Sequence, residues 1–409
     1  MHVPAGAHAA GSLRRRLGLT LLVLYGTGIT VGAGIYVLIG AVAGHAGVHT
    51  PWAFVLAALV MGLTVASYAE LTTRYPTSAG EAAYVRAGLR SRWLARATGL
   101  VTIVIGVVSS SAVALGAAGY IGQFVPLSRD LIALIVLLVL GAVAAWGILE
   151  SVLLASLFTL VEVGGLLAII AAAGLSHGVG VFALPPAPPP DAAALSGIAF
   201  ASLLAFFAFI GFEDLANVVE EAKAPHRDIP WAMALTLLVS TLLYVAVAVV
   251  AVNAVPLADL AGSPAPLSLL FQRVAGTDPA LISAIAVVAT FNTVLAQLTM
   301  AARVVYGMAR QGDLPARAGH VHPRTATPVL ATALVVGWAG MLAVLVPLEP
   351  LAAGTSLATL GVFAMVNLAL ARIHRRKTPP PASGVRVPRW VPVLGFATCV
   401  AMIAASLVL

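Results

Sequence analysis

Apolar stretches of membrane-spanning length recur from one end of this chain to the other, separated by short polar loops. That pattern leaves few folds open. A helix needs about 20 apolar residues to cross a bilayer. By that measure the sequence predicts eleven transmembrane helices, at approximately 19–43, 52–74, 97–124, 131–147, 150–175, 195–221, 229–253, 280–310, 328–347, 350–373 and 390–409. In hydrocarbon every backbone N–H and C=O must be paired within the protein, so spanning segments of this length are helices. Hydrophobic residues make up 61% of the chain and charged residues 9%, against about 25% charged in soluble proteins. The fold class expected is an all-α integral membrane protein. Arg14-Arg15-Arg16 before an apolar run, with Ala41-Val42-Ala43 after it, mimics a signal peptide. The run is too long for a signal core and more apolar segments follow, so it reads as a retained first helix.

Loop charges set the expected orientation. Twenty of the 22 basic residues fall in the 1–18 tail and in alternate loops on its side of the membrane; Arg129 and Arg273 alone fall on the other. The positive-inside rule then places the N-terminus in the cytoplasm and the C-terminus, after an eleventh helix, outside. A net charge of +7 distributed this way gives no reason to expect a nucleic-acid partner; the surface solvent is membrane lipid. The single cysteine, Cys399, rules out an intrachain disulfide. The proline-rich segment Leu184–Pro190, inside a 176–194 linker, reads as an extended outer spacer. The 254–279 connection is expected over the outer mouth. No loop is large enough for a separate enzyme domain, and the chain carries no Walker, HExxH, CxxC or GxSxG pattern.

The first helix contains its own interruption. Thr27-Gly28-Ile29-Thr30-Val31-Gly32-Ala33-Gly34-Ile35 lies between apolar flanks, and Gly32 and Gly34 are poor helix formers. A helix broken in mid-membrane frees backbone groups that must find partners or line a polar cavity. The N–H groups opening the outer half-helix form a ready anion site. The same glycines also fit a simple close-packing role, since Gly28-x-x-x-Gly32 matches the small-residue pattern of packed membrane helices.

The sixth segment carries a matching interruption, Phe206-Phe207-Ala208-Phe209-Ile210-Gly211-Phe212-Glu213-Asp214. Carboxylates inside a membrane are costly and face a cavity or a partner. A break at Gly211 leaves carbonyls at the negative end of the outer half-helix, which suits an ammonium group. Amides for a carboxylate and carbonyls for an amine together fit the common part of an amino acid. Five helices separate the two breaks. An odd number per half makes the halves inverted repeats, and paired interruptions in two halves point to a transporter site. The expected organisation is a tail (1–18), a first repeat (19–175), the linker (176–194), a second repeat (195–373), a basic loop (374–389) and an extra helix (390–409).

Four motifs in order carry a family resemblance: GITVGAGIYVLIG in the first helix, YAELTTRYPTSAGEAAYV at 68–85, FFAFIGFEDLANVVEEAKAPHRDIPWAM at 206–233, and RVVYGMARQGDLP at 303–315. The chain resembles the amino acid–polyamine–organocation superfamily of secondary transporters, in the branch similar to cationic amino acid transporters. The resemblance implies a 5+5 inverted-repeat core of the LeuT type, alternating access, an amino acid substrate and no cofactor. Carried over, it implies that Gly32, Ala33 and Gly34 give amides to the substrate carboxylate. Carbonyls near Thr30, Phe207, Ala208 and Ile210, beside Gly211, would take the ammonium. Phe207 falls at an aromatic gate position and Glu213 at an acidic gate position.

Two departures follow. Many relatives have twelve helices where eleven are counted here. Many carry a lysine in helix 5 beside the first break, where this chain has Glu162 in TLVEVGG. Ala155, Thr159 and Gly165 share its helical face and are small or polar, so the stripe is expected to face the bundle. A proton-coupling role for Glu162, or neutralisation of a cationic substrate, is the expectation.

Other candidates have plainer readings. Glu70 and Arg74 fit an i,i+4 pair; Glu220 and Glu221 fit capping or pairing near Lys223 and Arg227, with a gating latch as the alternative; Ser109 to Ser111 fit hydrogen-bonded packing between helices, with pocket lining as the alternative. Thr290, Asn292 and Thr293 are candidate sodium ligands, and His45 and His49 have no metal-binding spacing. Three rival functions stand beside amino acid transport. A polyamine carrier would leave the helix 1 amides without their anion. A channel would be expected to show repeated short subunits and charge rings. An intramembrane enzyme would need a nucleophile and base, or paired aspartates, at one depth.

Overall fold

The computed structural model describes residues 17–76, 80–146, 152–188, 191–325, 327–376 and 384–408 of the chain. Its regular structure is helical, apart from one isolated bridge between Leu17 and Ala222. Eight described segments are long and apolar enough to cross a membrane, and three shorter apolar helices, Leu19–Val31, Val329–Leu345 and Trp390–Ser406, accompany them. The protein is therefore a multi-pass membrane protein by composition and by architecture. Residues 1–16, the 147–151 link between the predicted fourth and fifth helices, and 377–383 of the basic loop lie outside the described residues.

The predicted first helix is two helices. α1 (Leu19–Val31) ends at Gly32, whose backbone angles leave the helical region, and α2 (Gly34–Ala46) starts two residues later. A long α3 (Thr50–Arg74) and a short α4 (Gly80–Leu89) follow; α4 falls between the predicted second and third transmembrane helices. α5 (Arg92–Ile121), α6 (Arg129–Trp146) and α7 (Val152–His177) complete the first half. The linker is tied down by side chains. The Trp52 indole N–H faces the carbonyls of Pro185 and Pro186 at 3.3 and 3.2 Å, and the Asn253 amide reaches those of Val181 and Ala183.

The second half repeats the interruption. α8 (Ala192–Phe207) stops at the paired phenylalanines, the chain turns through Ala208–Gly211, and a 3-10 helix (Phe212–Glu221) follows. Gly211 has φ +131°, a conformation that side chains other than glycine's rarely adopt, and it fixes where the turn falls. α9 (Pro225–Ala254) follows. The 254–279 connection is more ordered than a loop: it holds α10 (Leu257–Gly262) and α11 (Pro266–Ala275), which pack on α2. α12 (Ala280–Arg310), α13 (Val329–Leu345), α14 (Leu348–Arg375) and α15 (Trp390–Val408) end the chain.

Packing around the breaks positions everything else. α1 lies against α7 and α9, α2 against α8, and α5 against α12 and α14. The two interruptions meet backbone to backbone. A Cβ added at Gly34 would lie 2.3 Å from the Ala208 Cα, and one added at Gly211 would lie 3.1 Å from the Ile29 carbonyl carbon. α15 is held by a buried polar cluster in which Asn367 accepts from Ser67 and donates to Thr64, while Gly395 of α15 closes on its side-chain oxygen.

This crossing yields a direct stability test. Gly34→Ala puts a methyl group into the Ala208 backbone, and overpacking of this kind costs about 1–3 kcal/mol or more. Gly164→Ala is the control, because that α7 glycine has open space around its Cβ position. Thermal unfolding of the detergent-purified protein is expected to drop for Gly34→Ala and to hold or rise for Gly164→Ala. Equal melting temperatures for the two variants would contradict the close approach.

Candidate functional site

The sequence-predicted amides are divided among different partners. The Gly32 N–H closes the last turn of α1 on the Gly28 carbonyl at 3.0 Å. The Ala33 N–H donates to the Thr293 hydroxyl of α12 at 3.1 Å, and that hydroxyl donates onward to the Ala289 carbonyl at 3.0 Å. Gly34 opens α2, so its N–H belongs to the first turn that helix geometry leaves to outside partners. Of the three, Gly34 keeps the character of an anion-binding amide, while Gly32 and Ala33 are engaged within the protein. Thr293, a candidate sodium ligand together with Thr290 and Asn292, closes the first break.

The predicted carbonyls divide in the same way. Phe207 C=O accepts from the Ile210 N–H at 3.2 Å, which keeps the turn after α8 tight. The carbonyls of Thr30 and Ala208, one from each interrupted helix, converge on the Tyr244 hydroxyl of α9, at 2.7 and 2.8 Å. Phe207, Ala208 and Ile210 are buried, and the ring of Phe209 rests against Tyr244 with centroids 5.0 Å apart. Glu213 is half-buried and accepts from the Gly211 N–H at 2.9 Å, so its carboxylate caps the second break. Tyr244 escaped the sequence reading. Its signal was a row of hydroxyls, Thr236, Ser240 and Tyr244, at i, i+4 and i+8 on one face of α9.

Glu162 sits on the bundle side of α7, fully buried. The Tyr36 hydroxyl of α2 donates to its backbone carbonyl at 2.6 Å. The Asn292 amide of α12 stands 3.5 Å from its carboxylate, and one turn earlier the Thr159 hydroxyl donates to the Leu24 carbonyl of α1 at 2.9 Å. Gly165 closes on the Tyr36 hydroxyl. Thr159, Glu162 and Gly165 thus face α1, α2 and α12, next to the first break; the side chain of Ala155 lies outside the described ones. A buried acid with an amide and two helix backbones around it can hold a proton or a cation.

Aromatic rings pack beside the second break on the side of the 3-10 helix. Tyr68 packs edge-on against Tyr84, Phe212 and Phe363, and its hydroxyl donates to Glu81 of α4 at 3.2 Å. Glu81 is close enough to Glu213 and Asp214 for their charges to interact. Elsewhere the plainer readings are what the contacts give. Glu70 pairs with Arg74, and beyond the expected pair it is fully buried and also meets His374 and the Val387 N–H. Ser111 donates into the α13 backbone at Ala339. His45 pairs with Glu349 at the start of α14, a partner that sequence spacing could not name.

Burial of Glu81 is expected to make stability depend on pH. Burial pushes its carboxyl above the usual carboxylate range, only partly offset by its hydrogen bonds from backbone and Tyr68. A carboxyl raised in the folded state contributes stability that is complete below its unfolded value and is lost as pH rises through the folded one. Wild-type melting temperature is therefore expected to fall as pH climbs above the ordinary carboxylate range. Glu81→Gln is expected to flatten that part of the profile. An unchanged slope in the variant would remove Glu81 as its source.

Two interrupted helices crossing at their breaks, with buried acids and hydroxyls around the crossing, define a membrane protein built around a small polar centre. The amino acid permease family matches residues 17–409, and the chain belongs to that family. It is 31% identical to the branched-chain amino acid permease BcaP of Bacillus subtilis, over 94% of this chain and 85% of that protein. It is 33% identical to the vacuolar cationic amino acid transporter 2 of Arabidopsis thaliana, over 90% of this chain and 61% of the relative, and 30% identical to the methylthioribose transporter of Bacillus subtilis, over 94% and 86%. These matches bear out the resemblance to the amino acid–polyamine–organocation superfamily. The relatives are named as permeases and transporters, not as enzymes.

Proposed function

We propose that the chain is a secondary transporter that carries amino acids across a membrane by alternating access. The observation that carries this reading is the meeting of two helix interruptions, with the N-terminus of α2 on one side and the carbonyls of Thr30 and Ala208 on the other. The first suits a carboxylate and the second an ammonium. Permease relatives named for branched-chain and for cationic amino acids support the same substrate class. In this reading eleven helices span the membrane, with inverted repeats at 19–175 and 195–373, the linker at 176–194, the basic loop at 374–389 and an added helix at 390–409. The N-terminus is cytoplasmic and the C-terminus outside.

Gly34 supplies the principal substrate amide, with Gly32 and Ala33 holding the break in shape. Phe207 and Glu213 act as aromatic and acidic gates. Glu162 takes and releases the coupling proton, or balances the charge of a cationic substrate; its position beside α1, α2 and Asn292 supports that role.

Two experiments test this. Ligand that binds only the folded protein raises its stability. In a thermal-shift screen of the twenty amino acids and common polyamines, one or more amino acids are expected to stabilise the purified protein. Stabilisation by polyamines alone would overturn the substrate class. In proteoliposomes, Glu162→Gln is expected to lose acceleration by an inward proton gradient, or to lose arginine and lysine uptake while keeping neutral substrates. If the variant retains the wild-type pH profile and substrate preference, Glu162 is structural.

A further inference from the structure

The Tyr244 hydroxyl lies within hydrogen-bond reach of two carbonyls and owns one proton. It is 2.7 Å from the Thr30 oxygen and 2.8 Å from the Ala208 oxygen. Carbonyls only accept, so the phenol satisfies one of them at a time and leaves the other facing its lone pairs. Thr30 lies in the last turn of α1 and Ala208 just beyond α8, so both oxygens stand at the negative ends of helix dipoles. Two negative helix ends therefore converge on a group with no formal charge and one donor too few. Two further hydroxyls beside the crossing, Thr30 Oγ1 and Ser240 Oγ one turn before Tyr244 on α9, are buried with no partner among the described residues.

We propose that Tyr244 is the built-in competitor of the substrate's ammonium group. The inference rests on the reading that these carbonyls belong to the amino acid site. An ammonium carries three donors and a full positive charge, so it can serve both carbonyls at once, and bonds to charged groups are the stronger ones. It needs the same position between the two oxygens that the phenol holds, so the two cannot engage both carbonyls together. Loading replaces a half-satisfied neutral contact with a fully satisfied charged one. Release is the reverse, with the phenol returning to keep the two helix ends joined. The ring is fixed against Phe209 and Phe54, at 5.0 and 5.7 Å between centroids, which keeps the hydroxyl aimed at the crossing. Competition of this kind lowers affinity and favours turnover.

Tyr244→Phe removes the competing proton and keeps the ring. Dissociation constants measured by calorimetry for L-leucine and L-arginine give the readout, since relatives are named for both classes. Whichever of the two binds the wild type is expected to bind Tyr244→Phe roughly 2- to 10-fold more tightly, the range of one hydrogen bond. 4-Methylpentanoate, which is leucine without its amine, is expected to gain no affinity. The protein without added amino acid is expected to melt lower, because the bridge between the helix ends is gone. If the amino acids bind the variant with unchanged or weaker affinity, Tyr244 is a plain brace or a substrate ligand and the proposal fails. If the carboxylate analogue gains as much as leucine, the competition is not with the ammonium and the proposal fails. If neither binds the wild type, the amino acid that the thermal-shift screen selects takes their place, and if none of the twenty binds, the reading of the site falls and this inference with it. Should Tyr244→Phe not fold, Tyr244→Met, a flexible apolar filler, carries the same expectations.

Discussion

Backbone polar groups in a bilayer have no water to turn to, and this protein breaks two helices where that matters most. The breaks are placed against each other. Gly34 has no side chain because the Ala208 backbone occupies that space, and Gly211 has none because Ile29 does. Each interruption supplies the surface on which the other packs. Neither could form in hydrocarbon alone, because each frees N–H and C=O groups that need partners. The surrounding helices are arranged so that these partners arrive from several directions: Thr293 from α12 on the Ala33 amide, Tyr244 from α9 on both helix ends, and Glu213 on the Gly211 amide.

The satisfaction is uneven, and the unevenness has chemical meaning. The Gly32 and Ala33 amides and the Phe207 carbonyl have single, well-formed bonds. The Thr30 and Ala208 carbonyls share one proton. The groups that hold the breaks in shape are thus distinct from the groups with capacity to spare. A structure that pairs everything tightly would be rigid and inert toward a polar ligand. Here spare acceptor capacity collects at one end of the crossing, which is where a cationic group would be recognised.

Much of the scaffold was legible in the sequence. Apolar length marked the helices, and Gly32, Gly34 and Gly211 marked the breaks: Gly211 through a backbone conformation that suits glycine, Gly32 and Gly34 through the lack of room for a side chain. The small and polar stripe of Thr159, Glu162 and Gly165 marked the bundle face of α7. What was not legible is long-range pairing. Thr293 lies 260 positions from Ala33, and Tyr244 lies 214 from Thr30; no local pattern tells that they meet. The sequence treats the amides of Gly32, Ala33 and Gly34 alike, whereas the Gly32 N–H closes the last turn of α1 and the Ala33 N–H meets the distant Thr293 hydroxyl of α12. The outer connection hid two short helices because its prolines read as loop, while Pro266 in fact starts α11, where a missing N–H costs nothing.

The central claim is that the crossing recognises the carboxylate and the ammonium of one amino acid by backbone groups rather than by charged side chains. Competition for uptake in proteoliposomes addresses it directly. The competitors are the best amino acid substrate, its methyl ester, and its deaminated acid. The expected result is that the intact amino acid competes well and both altered forms compete poorly, because each has lost the group that one helix end recognises. Full competition by the methyl ester would contradict recognition of the carboxylate at the start of α2.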